Sequence, residues 1–144
     1  MRLGILIAAG LCVVGAVLSY FLYGQLRTET VPIQGVPQAV AGADGASCER
    51  LTFSLEPRQM GWIWVRAQRD QEAIWGRFTV QGRIDEDVGF RVFSPQNRLV
   101  LREEKQHDLD FRLPAEVWGD YRLEFDNRFS ILTDKDIELT YCVR

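Results

Sequence analysis

The amino-acid sequence predicts an all-β protein: an antiparallel β-sandwich of about eight strands, jelly-roll-like, preceded by one N-terminal transmembrane helix. Two observations predict this architecture. From residue 51 onward, apolar residues recur at every second position, which is typical of strands with one buried face, and no helical period is sustained. Residues 3–23, in contrast, carry no formal charge. The 144 residues allow one small domain with an appendage and leave no room for a second core.

The uncharged N-terminal segment predicts a membrane anchor over residues 1–27. Its twenty-one residues, at about 1.5 Å each, cross a hydrocarbon core of about 30 Å. The alternative is a cleaved signal peptide, but its apolar region would be shorter, and no Ala-x-Ala-like site precedes Gln25. Lipid attachment at Cys12 is disfavoured because the bulky Leu11 occupies the preceding position.

Small side chains recur every four residues within this segment, at Gly4, Ala8, Cys12 and Ala16. On a helix they form one stripe, which a second membrane helix can approach closely. The stripe is therefore a candidate packing surface between helices. The alternative is that small residues are simply common in membrane helices.

The flanking charges, Arg2 and Arg27, barely discriminate the two orientations of the anchor. Two cysteines in a small β-domain favour an oxidising compartment. Fifteen of the seventeen basic residues are Arg, which is typical of GC-rich bacterial genomes. We therefore expect a single-pass protein of the bacterial inner (cytoplasmic) membrane, with a cytoplasmic N-terminus and a periplasmic C-terminal domain.

Residues 28–47 lack a sustained period and are rich in Pro, Gly and Ala, which predicts a flexible linker. The β-sandwich is then predicted over residues 48–144. Its clearest alternating runs are Leu51/Phe53/Leu55, Phe90/Val92, Leu99/Leu101, Leu109/Phe111/Leu113, Tyr121/Leu123/Phe125 and Ile137/Leu139/Tyr141/Val143. Glycines and prolines separate these runs, and many short strands in one small domain indicate a two-layer sandwich.

Cys48 and Cys142 are predicted to form a disulfide. Both occupy even positions, whereas the apolar residues of the first and last strands occupy odd positions, so both cysteines are predicted to point away from the main core. If those strands pair antiparallel, the beginning of one lies opposite the end of the other, and the two sulfurs meet. The alternative is two free cysteines, one at the linker and one packed as a small apolar residue.

The C-terminal stretch resembles the end of a Golgi-dynamics (GOLD) domain. The matching motif is Gly119-x-Tyr121, Phe125-x-Asn127-x-Phe129-Ser130, a nearby Lys135 and a last alternating strand. GOLD domains are β-sandwiches that bind proteins or lipids without catalysis, so the resemblance implies a recruitment module. The pre-peptidase C-terminal type of bacterial sandwich shares the Gly-x-Tyr ending and implies a similar architecture.

The sequence also departs from the eukaryotic cargo receptors of that family. Their cysteine beside the Gly-x-Tyr strand is replaced by Glu124, and their coiled coil and C-terminal membrane helix are absent from the sequence. Vesicle cargo sorting is therefore not implied. The motif also has a structural interpretation, in which its apolar residues face the core and Asn127 caps a turn through hydrogen bonds from its side chain.

Few residues could support chemistry. His107, the only histidine, follows the charged run 103–105 between two strands, which favours a solvated turn over a catalytic base. The acidic run 85–87 could bind calcium, but a polar hairpin tip is the favoured interpretation. We expect no catalytic residue, cofactor or metal. The net charge of −3, with scattered basic residues, excludes a nucleic-acid partner.

Trp62 and Trp64 are the most informative candidates for a site. In the run 61–65, apolar residues occupy both the even and the odd positions, so both faces of the predicted strand are apolar. The two tryptophans share one of these faces, which could lie outside the core and bind a partner. The alternative is a strand covered on both faces within its own domain. Trp75 and Trp118 leave the same two interpretations open.

These features together predict a membrane-anchored, non-catalytic module that recruits or stabilises a partner protein, for example as an accessory subunit of a larger membrane complex. A glycan-binding or lipid-binding sandwich of the bacterial envelope is the alternative. A hydrolase would require a pocket centred on a buried His107.

Overall fold

The computed structural model describes residues 27–82 and 84–144. Ten strands make up this part of the chain, with one short 3₁₀ turn, Ala43–Gly45, between the second and third. The strands are β1 (Glu29–Pro32), β2 (Gln38–Ala41), β3 (Ser47–Leu55), β4 (Gln59–Ala67), β5 (Ala73–Gly82), β6 (Val88–Phe93), β7 (Leu99–Gln106), β8 (Asp108–Pro114), β9 (Gly119–Asp126) and β10 (Lys135–Val143).

The strands form two five-stranded sheets. The first sheet has the order β1-β4-β9-β6-β7, and the second has the order β2-β3-β10-β5-β8. Every pairing is antiparallel except that of β1 with β4, which is parallel. The predicted β-sandwich is therefore confirmed, with ten strands in place of about eight.

Aromatic side chains from both sheets form the centre of the core. Phe53 and Phe78 of the second sheet meet Phe125 and Phe90 of the first, with ring centroids 5.2 Å apart for Phe53 and Phe125 and 5.1 Å apart for Phe78 and Phe90. The rings are tilted or edge-to-face, the arrangements that the ring quadrupoles favour. The alternating runs of the sequence supply Phe53, Phe90 and Phe125 and many of the aliphatic residues around them. Leu99 is the exception, because it belongs to such a run but is 48% exposed.

The segment predicted as a flexible linker, residues 28–47, instead adds one edge strand to each sheet. β1 pairs with β4, and β2 pairs with β3. Val31 and Ile33 pack against the core. The alternation in these four-residue strands is too short to distinguish them from a tether by sequence, since edge pairing depends on a neighbour that the local sequence does not specify.

The predicted anchor and its stripe of Gly4, Ala8, Cys12 and Ala16 lie outside the described residues. Within residues 27–82 and 84–144, no helix is both long enough and apolar enough to cross a membrane.

The two ends of the sandwich differ in which connections they carry. We call one of them the N-terminal end: it carries the start of β1 and the connections that follow β3, β5, β7 and β9. The register shows this, because Lys135 at the start of β10 lies opposite Leu55 and Gly82, the last residues of β3 and β5. The backbone N–H of Glu29 donates to the carbonyl of Arg58 at 3.0 Å, which places the start of β1 at the same end. The C-terminus lies at the opposite end.

Candidate interaction surface

Strand β4 presents its two tryptophans on the outer face of the first sheet. Val65 and Ala67 point into the core, whereas Trp62 is half-buried and Trp64 is 51% exposed. The two rings lie 5.5 Å apart between centroids, at an interplanar angle of 67°. The exposure of Trp64 is inconsistent with a strand covered on both faces, so the tryptophan pair lies outside the core.

Charged side chains of the neighbouring strands flank the tryptophans. The register places Glu124 of β9 between Trp62 of β4 and Arg91 of β6. Glu124 is only 5% exposed, and its carboxylate lies 3.0 Å from Arg91 and 2.9 Å from Arg122. A nearly buried carboxylate therefore lies within ion-pair distance of two guanidinium groups at this surface.

Arg122 joins this ion cluster to the aromatic groups. Its guanidinium carbon lies 4.6 Å from the ring centroid of Phe93 and 5.8 Å from that of Trp64, both within cation–π range. We call Trp62, Trp64, Phe93, Arg122 and Glu124 the tryptophan–arginine surface. Rigid aromatic rings and oriented guanidinium groups are the side chains that protein interfaces favour.

Asp126 extends the ion cluster toward the N-terminal end. Its carboxylate accepts a hydrogen bond of 2.7 Å from Arg128, and Arg91 lies 3.6 Å away. Burial alone would raise the pKa of Asp126, but the hydrogen bonds from Arg128 outweigh it, so the pKa is lowered. The carboxylate therefore contributes stability while it is ionised.

Acidification should remove the stabilisation that the ionised Asp126 carboxylate provides. Because the folded pKa of Asp126 is depressed, its stabilisation is present above the unfolded value of about 3.9 and is lost as the pH falls through the folded value. We expect Asp126→Asn to lower the free energy of unfolding by about 1 kcal/mol at pH 6. The difference from the unsubstituted protein should narrow toward pH 3.

Urea denaturation at pH 6, 4 and 3 measures this convergence. Asp70→Asn, at an exposed position, is the matched control and should change the free energy of unfolding by less than about 0.5 kcal/mol at pH 6. An Asp126→Asn deficit that does not change with pH would contradict the linkage.

The C-terminal motif has a structural role. Asn127 is fully buried, and its side-chain N–H groups donate to the carbonyls of Leu55 at 3.3 Å, Glu56 at 3.0 Å and Thr133 at 3.0 Å. It therefore ties the end of β3 to the loop that precedes β10, a wider connection than the cap of its own turn that the sequence predicts. Tyr121, Leu123 and Phe125 are buried in the core, as expected.

The acidic run 85–87 folds over Lys135 of the same motif. The fully buried ammonium of Lys135 donates to both the carbonyl and the carboxylate of Asp85, and the carboxylate of Asp87 lies 4.0 Å away. The hydrogen bond from Lys135 is the main reason that the pKa of Asp85 is lowered. Among the described residues, no cluster of His, Cys, Asp and Glu could hold a metal ion. The run acts as the counterion of a buried lysine.

The remaining candidates lie apart from this surface. His107 is exposed in the turn between β7 and β8. Trp118 is 61% exposed at the opposite end, with Arg69 over its ring at 5.5 Å. Trp75 is half-buried on the outer face of the second sheet, under Arg112 at 5.3 Å. The structure does not bring these residues together.

Cys48 and Cys142 are joined by a disulfide. They lie directly opposite each other in the pairing of β3 with β10, and their Cα atoms are 4.0 Å apart. Cys142 also lies opposite Trp75 of β5. The bridge is therefore on the outer face of the second sheet, away from the tryptophan–arginine surface.

Phe93 and the cluster of Arg91, Arg122 and Glu124 are not predicted by the sequence as parts of a site. One signal was present: in β9, charged residues alternate with the core residues Tyr121, Leu123 and Phe125. Their meaning depends on which strands lie beside β9, and strand order is not a local property of the sequence.

Fold and surface together define a class: a two-layer β-sandwich that presents an exposed aromatic and charged sheet face. A model of the emp24/gp25L/p24 family/GOLD matches residues 50–144, which is most of the chain, and the protein belongs to this family. The resemblance of the C-terminal motif is thus confirmed over nearly the whole domain.

One curated relative and one solved structure are similar to the chain. An uncharacterized membrane protein of Schizosaccharomyces pombe is 28% identical over 94 residues, covering 65% of this chain and 45% of the relative. The chain therefore spans less than half of that relative's length. The crystal structure of PliG from Aeromonas hydrophila, a periplasmic inhibitor of g-type lysozyme, has a TM-score of 0.53 at 17% identity and covers 81% of this chain and 98% of that one. This likeness shows the fold alone.

Proposed function

We propose that this protein is a membrane-anchored, non-catalytic GOLD module that recruits or stabilises a partner protein through the tryptophan–arginine surface. The observation that carries the proposal is the 51% exposure of Trp64 beside an organised ion cluster. Exposed tryptophan is costly in water, and its burial by a partner loses little side-chain entropy because the ring has few rotatable bonds. Arg122 pairs with Glu124 and donates a hydrogen bond to Asn97 at 3.1 Å, and both contacts favour the position in which a partner would meet it.

Residues 1–27 are proposed to anchor the module, and the name of the yeast relative as a membrane protein supports a membrane location. The disulfide supports placing the domain on an oxidising side of that membrane. In a bacterial cell this location is the inner membrane, with the domain in the periplasm.

Loss of the partner on substitution of the tryptophans tests the proposal. Tagged full-length protein, purified from detergent-solubilised membranes, should carry a stoichiometric partner. Trp62→Ser combined with Trp64→Ser should release that partner, because it removes most of the apolar area of the surface. The thermal midpoint should fall by less than about 10 °C, since neither ring belongs to the core and only their mutual contact and the contact of Trp64 with Arg122 are lost.

Trp118→Ser is the matched control, since it removes an exposed tryptophan at the opposite end. It should leave the partner bound. Retention of the partner by the double variant would refute the surface, and a collapse of its thermal midpoint would assign the two rings a role in stability instead.

The alternative, a glycan-binding sandwich, expects coplanar exposed tryptophans. The pair in β4 lies at 67° and does not form the flat platform that a sugar ring stacks on. The protein-binding proposal is therefore the one that the geometry favours.

A further inference from the structure

The N-terminal end of the sandwich displays four exposed apolar side chains on two adjacent loops. They are Phe129 at 42%, Ile131 at 60%, Leu132 at 81% and Ile84 at 79% exposed. The contact of Lys135 with Asp85 joins the loop that carries Ile84 to the start of β10, directly after the other three. We call these four residues the apolar tip.

Side-chain hydrogen bonds cross-link the loop that carries most of the apolar tip. The hydroxyl of Ser130 donates to the carbonyl of Thr133 at 3.2 Å and accepts from its backbone N–H at 3.2 Å. Asn127 donates to the same carbonyl. Buried polar residues thus determine the path of the backbone, and the apolar residues between them are held outward. Side chains that are already held outward lose less conformational entropy when a partner or a membrane buries them.

The same end carries the start of the folded chain. β1 begins at Glu29, beside Arg58. Only residues 24–28 separate Glu29 from Tyr23, the last residue of the uncharged segment. Six peptide links reach at most about 20 Å. If residues 3–23 cross a membrane, the N-terminal end of the sandwich is held close to its surface, while the opposite end lies a strand length further away, about 30 Å.

We propose that the apolar tip inserts into the lipid bilayer that the N-terminal segment anchors, so that the sandwich stands on the membrane with its N-terminal end down. This inference rests on the proposed anchor. Lys105, whose ammonium lies 5.9 Å from the ring centroid of Phe129, is placed to reach the headgroups while the ring enters the interface.

Apolar burial, and not charge, drives this contact. Glu86 and Asp134 are exposed on the same loops as the tip and offset the attraction of nearby basic groups for anionic lipid. Insertion should therefore occur in neutral phosphatidylcholine. The orientation leaves the tryptophan–arginine surface on the side of the standing sandwich, open to a partner in the same membrane.

Depth-dependent quenching tests the orientation in the full-length protein. Cys12→Ala removes the third cysteine, and the disulfide occupies the other two. Leu132→Cys is then labelled with the environment-sensitive fluorophore NBD, and the protein is reconstituted in phosphatidylcholine vesicles that carry nitroxide lipids. The matched control is Gln96→Cys, exposed at the opposite end.

The label at position 132 should emit at shorter wavelength and be quenched by nitroxide lipids several-fold more than the label at position 96. Replacing Ile84 and Ile131 by Ser, both mostly exposed, should reduce the quenching at position 132 several-fold without affecting folding. Equal quenching at positions 132 and 96 would overturn the inference. A label at position 132 that neither nitroxide lipids nor the aqueous quencher iodide can reach would also overturn the inference. That result would indicate that a second copy of the protein covers the tip.

Alkaline carbonate extraction of the vesicles distinguishes failure of the proposed anchor from failure of the proposed orientation. Release of the protein from the vesicles would refute the anchor and, with it, the orientation. Retention in the vesicles with a water-exposed label at position 132 would refute the orientation alone.

Discussion

Replacing both Cys48 and Cys142 by Ala should lower the free energy of unfolding of the oxidised protein by about 4 to 5 kcal/mol. The bridge spans 94 residues of sequence, so it closes almost the whole domain into one loop and removes many conformations from the unfolded chain. The effect is comparable to much of a small domain's net stability. In a thermal scan it corresponds to a shift of about 20 °C or more.

Urea denaturation of the full-length protein in detergent, followed by tryptophan fluorescence, measures the change. Cys12→Ala is the control and should be neutral, since Cys12 forms no part of the bridge. Thiol labelling of the non-reduced, unfolded protein from cells gives a second result. Labelling of both Cys48 and Cys142 would refute the bridge in the cell, and it would remove the support for an oxidising compartment.

Asn127→Asp should destabilise the domain by about 3 to 5 kcal/mol at neutral pH. The substitution is nearly isosteric, but it replaces the amide donor by a carboxylate. The carbonyls of Leu55, Glu56 and Thr133 then each lose the hydrogen bond from Asn127, although Glu56 keeps the N–H of Gln59 and Thr133 keeps the hydroxyl of Ser130. The new carboxylate would be buried against these carbonyl oxygens without a donor of its own, and burying a charge in this way costs several kcal/mol. Since Asn127 is fully buried, water cannot replace the lost bonds without opening the loop.

Asn97→Asp makes the same chemical change at an exposed turn. Its side-chain oxygen accepts a hydrogen bond from Arg122, which a carboxylate also accepts, so this control should stay within about 0.5 kcal/mol. Chemical denaturation of both variants at pH 7 gives the comparison. A similar small effect at both positions would show that Asn127 is dispensable to the fold.

The sequence identifies Lys135 as part of the motif but does not show which residue neutralises its charge. Lys135 belongs to the resemblance on which the GOLD assignment depends, yet its counterion lies fifty positions earlier, in the acidic run that the sequence presents as a hairpin tip. An ammonium without contact to water requires such a partner. Only the pairing of β10 with β5 shows that Asp85 supplies it.

The sequence by itself predicted the sandwich class and the core faces of β3, β6, β8, β9 and β10, and it identified Cys48, Cys142, Trp62 and Trp64 as candidate residues. These follow from local alternation, because a strand with one buried face repeats its pattern every two residues wherever it lies. The tertiary structure alone decided three other features. The supposed linker supplies an edge strand to each sheet, Glu124 and Arg122 lie beside Trp62 and Trp64, and four apolar side chains share the end where the chain enters the domain. Each depends on residues distant in sequence becoming neighbours, and strand order, which no short-range pattern encodes, determines those neighbours.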